Sequence, residues 1–296
     1  MWIYRILSWI TLTISILILL VIPLYTGSSL LLILSNTELT TIFLNLLLLV
    51  IEEIGLLFAL YLFYMISGAF RFRNQSFSQN NSKNSIESPV FSIIVPSHGT
   101  SFAVLKETLE GVLRIDYSSY EIIVSDNSQN PNITNQLKEF CEENSIQFYH
   151  KSDTRGFKAG NINAVLDKTK GDYIVILDSD HIPVPTLLSE FSKAISDRKA
   201  GYFQAKVSYR NTQRLYQAAN SILYSQFYEV FEAAKDHRGV VLFNGTTGCF
   251  RKDTLVEVGG FSEDTLIEDI DTSMKILSQG HIGRYLNFIG SYGLVP

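Results

Sequence analysis

Residues 171–183 read GDYIVILDSDHIP. Five apolar residues, Tyr173 to Leu177, lie between a Gly-Asp turn and a run of acidic and hydroxyl side chains. A short, β-branched apolar run of that length is the pattern of a strand buried on both faces. Asp178 and Asp180 stand at its carboxyl end. On an extended chain residues i and i+2 point the same way, so the two carboxylates repel one another unless a cation lies between them. Carboxylate oxygens without cysteine neighbours suit Mg²⁺ or Mn²⁺, ions that also bind phosphates. His181 is a further candidate donor, although a lone histidine is more often structural.

Working outward, FSIIV (91–95), EIIVS (121–125) and IQFYH (146–150) are further β-rich runs. Amphipathic stretches near 103–114, 132–143 and 160–169 separate them. Strands alternating with helices predict βαβ units and a mainly parallel α/β sheet. Downstream, Thr212 to Lys235 reads as a long helix, VVLF (240–243) and CFR (249–251) as short strands, and 267–279 as a helix. Polar residues collect where strands end: Ser97 and His98 after the first, Ser125, Asp126 and Asn127 at the second, Asp178, Ser179 and Asp180 at the fourth. Each cluster alone is compatible with a turn. Together they converge, because open α/β sheets bind ligands outside the carboxyl ends of their strands.

Three more segments carry chemistry. Lys158-Ala-Gly-Asn-Ile-Asn163 opens a helix after Arg155-Gly156; backbone N–H groups at a helix start plus a lysine make a diphosphate site. Thr265-Leu-Ile-Glu268 fits a capping box, with Asp269 in the first turn and Ile270, Met274 and Leu277 as the buried stripe. There Glu268 and Asp269 also complement the helix dipole. Phe243-Asn-Gly-Thr-Thr-Gly248 is a glycine-rich bend that lets backbone approach a ligand or simply turns the chain.

Composition divides the chain. Overall it is 46% hydrophobic and 18% charged, with a mean hydropathy of +0.15. Residues 1–70 hold only Arg5, Glu38, Glu52 and Glu53 as charges. Trp2 to Tyr25 exceeds the ~20 apolar residues needed to span a bilayer, and a second run extends from about Leu39 to Gly68. Glu52 and Glu53 interrupt it, each costing about 2.5–3.5 kcal/mol at a bilayer centre. Arg5, Arg71, Arg73 and Lys83 flank the two runs, and the loop between them has only Glu38. The positive-inside rule then predicts two spans within 1–70, a flexible linker over 71–89, and a cytoplasmic domain over 90–296, in the plasma membrane as a multi-pass protein. A net charge of −5 excludes a strongly basic nucleic-acid binder. Two cysteines, Cys141 and Cys249, give no disulfide framework and suit a reducing compartment.

In order, IIVPSHG (93–99), VSDNS (124–128), KAGNIN (158–163), LDSDHIP (177–183), FNGTTGCFRKDTLVEVGGF (243–261) and IEDID (267–271) resemble the family 2 glycosyltransferases with the GT-A fold. They look most like cellulose-synthase-like and glucomannan-synthase-like membrane β-glycosyltransferases. The resemblance implies a Rossmann-like domain that moves a sugar, with inversion, from a nucleoside diphosphate sugar to an acceptor hydroxyl. It favours UDP-glucose over GDP-mannose and UDP-N-acetylglucosamine, with Mg²⁺ or Mn²⁺ as cofactor. By the same resemblance, Asp126 binds the nucleobase, His98 falls where a base-contacting residue sits, and Ser97 belongs to the nucleotide-sugar site. Lys158 reaches the diphosphate, and Asp178 and Asp180 form the DxD pair. Asp269 is the general base, with Gly245, Thr246 and Glu268 supporting the acceptor side. The acceptor is a growing glycan or, alternatively, a lipid carrier such as polyprenyl phosphate; an inactive nucleotide-sugar-binding scaffold is the remaining alternative. Two departures stand out. Ser125-Asp126 replaces the more usual Asp-Asp. A Q/R-x-x-R-W segment does not follow, and the expectation is that the chain is a truncated piece of a longer protein.

Overall fold

The computed structural model describes residues 2–35, 38–79 and 88–295. The chain falls into two compact units, residues 1–82 with 233–237, and residues 83–232 with 238–296.

The first unit is built on helices α1 (Trp2–Leu34) and α2 (Leu39–Gln79). Each is long and apolar enough to cross a membrane. They run antiparallel: Ser8 bonds Ser67, and the Tyr25 and Thr26 hydroxyls donate to Glu52 and Glu53. The two glutamates therefore have hydroxyl donors from the facing helix, which offsets part of their cost in an apolar setting. The linker expected from residue 71 is displaced, since α2 continues unbroken to Gln79. Arg-Phe-Arg and the following Asn, Gln and Ser carry no proline or glycine to stop a helix already propagating. Lys83 and the rest of the expected linker up to Glu87 lie outside the described residues.

The second unit is an eight-stranded mixed sheet in the order β3-β2-β1-β4-β7-β6-β8-β5. Strands β1 (Phe91–Ser97), β2 (Tyr120–Asp126), β3 (Gln147–His150) and β4 (Tyr173–Ile176) are parallel, as expected from the βαβ pattern. Helices α3 (Phe102–Leu113), α4 (Pro131–Glu143) and α5 (Phe157–Leu166) make their crossovers. Beyond β4 come β5 (Ile182–Pro183), α6 (Leu187–Ala194), β6 (Ala200–Tyr209), β7 (Gly248–Arg251), α9 (Lys252–Glu257), α10 (Glu268–Ser278) and β8 (Ile282–Gly293). β7 runs antiparallel to both β4 and β6, and β8 is parallel to β6. The expected strand at 240–243 is reduced to a single bridge, Val240 to Gly283. The long helix expected over 212–235 is α7 (Leu215–Gln226), a π-helical turn Phe227–Glu232 and α8 (Ala233–Asp236).

Alternation along β1 shows how the core sits. Phe91, Ile93 and Val95 pack with Leu105, Leu109, Leu137 and Phe191 from α3, α4 and α6 on one face. Ile94 packs with Ala159, Ile162 and Val165 of α5 and with Phe243, Phe250 and Phe261 on the other. Both faces are covered, so every residue of β1 is buried. At about 1.5–3 kcal/mol for each fully buried large side chain, these two layers fix the strand ends rigidly. The polar ends of β1, β2 and β4 project from one edge of that rigid layer.

Candidate active site

A cleft of about 310 Å³ opens at these strand ends. Pro96, Ser97, His98 and Thr100 line it from β1, Asn127 from β2, Asp178 and Ser179 from β4. Thr154, Phe157, Lys158 and Asn161 line it from the start of α5. The three polar clusters thus converge on one crevice.

The start of α5 is shaped by its backbone. Gly156 and Phe157 both take positive φ, +73° and +48°. A Cβ on Gly160 would lie 2.2 Å from the Arg155 carbonyl oxygen, so only glycine lets the entering loop fold onto the helix. Lys158 then reaches out, forming an ion pair with Asp178 and donating to the Gly245 carbonyl at 2.6 Å. Asn161 donates to the Ser97 carbonyl at 3.1 Å, and the Ser125 hydroxyl donates to the Asn161 carbonyl at 2.7 Å. Ser125 thereby ties β2 to α5 beneath the cleft.

At the end of β4, ligand atoms of Asp178, Asp180 and His181 all lie within 4.8 Å of one another. The Asp178 N–H donates to Thr246 Oγ1 at 2.9 Å. His181 is buried and pairs through Nδ1 with the Ser291 hydroxyl at 2.9 Å, which in turn pairs with Thr247 at 2.6 Å. Burial holds its imidazole below the ordinary histidine range, against the pull of Asp178 and Asp180, which raise it. A neutral imidazole beside two carboxylates is a donor set of the kind hard divalent ions accept.

The Gly245 bend brings in the last helix. A Cβ on Gly245, whose φ is +83°, would lie 3.4 Å from Asp269 Oδ2 and 3.6 Å from Lys158 Nζ. Gln204 of β6 holds the bend, its amide donating to the Thr246 carbonyl at 3.0 Å and accepting from the Asn244 N–H at 2.9 Å. Asp269 is half-buried, one residue into α10. Burial raises the carboxyl of Glu268, and the neighbouring Asp269 and Asp178 charges add to this.

Two expectations fail here. The capping box does not form: α10 starts at Glu268 with Ile267 as N-cap, and Thr265 Oγ1 instead accepts from the Ile267 N–H at 3.2 Å. The buried stripe of α10 is Thr272, Ser273 and Ile276, whereas Ile270 and Met274 are exposed. Hydroxyls displace hydrophobes on that face because they bond locally: Ser273 donates to the Asp269 carbonyl, Thr272 accepts from the Ser262 N–H, and the Ser273 hydroxyl accepts from the Phe243 N–H.

Asp126 is placed differently from the others. It is fully buried and its carboxylate is taken up by the Ser128 hydroxyl (2.5 Å), Thr134 Oγ1 (3.2 Å) and His150 Nδ1 (3.1 Å). It does not line the cleft; the neighbouring Asn127 does. Ser97, His98, Lys158 and Asp178 are wall residues, Asp180 joins the carboxylate cluster, and Gly245, Thr246 and Asp269 meet at the bend. Asn127 belongs to the polar end of the second strand read from the sequence; Asn161 lies inside a quoted motif without being singled out, and Phe157 and Gln204 carry no local signal.

Residues 92–259, more than half of the chain, match the family described as "Glycosyl transferase family 2". The chain is 26% identical over 214 residues to a "Cellulose synthase catalytic subunit [UDP-forming]" of Xanthomonas axonopodis pv. citri (strain 306), covering 70% of this chain and 29% of that protein. It is also 26% identical over 196 residues to the "Poly-beta-1,6-N-acetyl-D-glucosamine synthase" of Staphylococcus aureus (strain COL), covering 65% and 47%. The chain thus spans under a third of the cellulose synthase relative's length. Among solved structures it is similar to "Mannosyltransferase PcManGT from Pyrobaculum calidifontis in complex with GDP-Man and Mn2+", with a TM-score of 0.57 and 19% identity over 78% of this chain and 66% of that one.

Proposed function

The chain belongs to glycosyl transferase family 2, and from that premise we propose that it transfers a sugar from a UDP-sugar, UDP-glucose foremost, to an acceptor hydroxyl in membrane-associated β-glycan synthesis. One observation carries the reading: Asp178, Asp180 and His181, Lys158, and the Gly245–Asp269 contact meet at one end of the sheet. The relatives named for cellulose and poly-N-acetylglucosamine synthesis support a UDP-sugar donor and a glycan acceptor.

In this reading the diphosphate lies between Lys158 and the Asp178/Asp180 pair. Asp178, Asp180 and His181 would hold a Mg²⁺ or Mn²⁺ ion, which their donor set fits, and such an ion would neutralise charge on the diphosphate leaving group. Lys158 adds a second positive charge from the opposite wall. Asp269 Oδ2 takes the proton of the acceptor hydroxyl as its oxygen attacks the anomeric carbon opposite the leaving diphosphate, inverting that centre. Gly245 keeps the space in front of Asp269 free of side-chain atoms. In the same reading α1 and α2 are two spans of the plasma membrane, supported by their length and apolar composition, and the catalytic unit is cytoplasmic.

The test is release of UDP from UDP-glucose by the full chain with Mg²⁺ or Mn²⁺, with and without oligosaccharide acceptor. Release is expected, and Asp180→Ala should abolish it. Failure of the chain to bind UDP under any metal condition would sink the reading; binding without release would favour an inactive scaffold.

A further inference from the structure

Helices α1 and α2 leave a groove of about 560 Å³ along their seam. Ile14, Leu17, Val21 and Tyr25 line it from α1, and Glu52 and Gly55 from α2. The α1 residues recur three or four positions apart, so they form one stripe roughly 16 Å long. Leu17 and Val21 are more than half exposed. A Cβ on Gly55 would meet nothing within 4 Å, so the floor beside Glu52 is open. An apolar stripe of this length over an open floor has the form that one more helix packs into.

One carboxylate stands in this groove. Glu52 lies within one helical turn of the middle of the apolar run Leu39–Phe72. That is roughly 20 Å along the helix from Leu39 and roughly 28 Å from Arg71, beyond the reach of lipid headgroups. Tyr25 donates one hydrogen bond to it, whereas an ionised carboxylate offers about four acceptor sites. Glu53 is engaged by Thr26 and does not line the groove. No lysine, arginine or histidine occurs between residues 6 and 70, so neither helix supplies a cation at this depth.

These features choose among occupants. Acyl chains fill the volume but leave the charge without a partner in hydrocarbon, a costly arrangement. A second copy of the chain brings another Glu52 and no cation, so like charges meet. A helix with one basic residue at mid-span supplies both the packing surface and the opposite charge, the way ionisable groups inside membranes are satisfied.

Resting on the reading of α1 and α2 as membrane spans, we infer that the groove is the docking surface for a partner's transmembrane helix that sets a lysine or arginine against Glu52. Leu17 and Val21 take its apolar side chains. Gly55 leaves room for the basic side chain beside the carboxylate, and Tyr25 holds Glu52 in place to receive it.

The experiment is fluorescence energy transfer in phosphatidylcholine vesicles between the full-length chain, labelled through Glu38→Cys, and a synthetic polyleucine helix that carries one lysine at its centre. The same helix with leucine in place of the lysine is the comparison. The lysine helix should associate about 10-fold more tightly. Glu52→Gln, which keeps the side chain's size and its contact with Tyr25, should remove that preference, and Glu53→Gln should keep it. Equal association of the two helices with the wild-type chain would overturn the proposal. So would loss of the preference in both variants alike, which would mean a role in holding α1 to α2. Transfer between differently labelled copies of the chain that excludes the added helix would make a second copy the occupant and overturn it too. A wild-type chain that alkaline carbonate strips from the vesicles overturns the span reading itself.

Discussion

Lys158, at the first turn of α5, forms an ion pair with Asp178 at the end of β4. Its ammonium occupies one carboxylate of the pair that would hold the metal, while also donating to Gly245. In the proposed function, lysine and metal would therefore compete for Asp178 before donor arrives, and both would bind the diphosphate once it is present.

Replacing Lys158 with Met should consequently have opposite effects on the two ligands. Affinity for Mn²⁺ alone should rise about five-fold, the worth of a part-exposed ion pair near 1 kcal/mol. Affinity for UDP in the presence of Mn²⁺ should fall. Electron paramagnetic resonance of free Mn²⁺ measures the first and calorimetry the second; a fall in both would mean that Lys158 supports the fold of the cleft.

Asp269 is expected to act only in the transfer step. Asp269→Asn should lower turnover about 10²-fold or more and leave UDP-sugar affinity nearly unchanged. Glu268→Gln should lose far less, because Glu268 is a neighbour in the same turn with no cap to maintain. Steady-state kinetics together with donor titration separates the two. Equal small losses in both variants would remove Asp269 from the role of base.

Glu121 predicts a pH-dependent stability. Burial works to raise its carboxyl, but hydrogen bonds from Ser92 (2.6 Å), the Lys170 N–H and Gln147 (2.6 Å) hold it below the ordinary value of 4.5. A carboxylate depressed in the folded state stabilises it above the unfolded value and loses that contribution as pH falls through the folded one. Glu121→Gln should therefore cost up to about 1 kcal/mol at pH 7, since solvent screens this part-exposed carboxylate. Thermal unfolding should show the gap from wild type closing as pH drops below about 4.5.

Topology is open to a thiol experiment. Cys141 and Cys249 are buried, and burial pushes the Cys141 thiol up to about 12, so neither offers a reactive thiolate in the native protein. A cysteine introduced at exposed Glu38, between α1 and α2, should label with impermeant maleimide in intact cells. Labelling only after permeabilisation would reverse the proposed orientation.

The sequence by itself determined the elements whose cause is local. β1, β2 and β4 were legible as apolar runs because both sheet faces are covered, and α1 and α2 because long apolar stretches with few charges favour long helices. The Asp178/Asp180 pair was legible as residues but not in its geometry: β4 ends at Ile176 and the chain turns, the His181 N–H donating to the Asp178 carbonyl at 3.1 Å, so a turn and not an extended strand brings the carboxylates together. What only the tertiary structure decided depended on long-range partners. β6 and β8, which widen the sheet, pair across about 80 positions of sequence and carry mixed patterns that no local periodicity reveals. The capping box at Thr265 gave way because Ile267 turns the chain before the helix starts. Asp126 and Asn127 are adjacent in sequence and chemically alike. One is enclosed by His150 and Thr134 from the next strand and helix, the other faces the cleft, and only packing chooses between them.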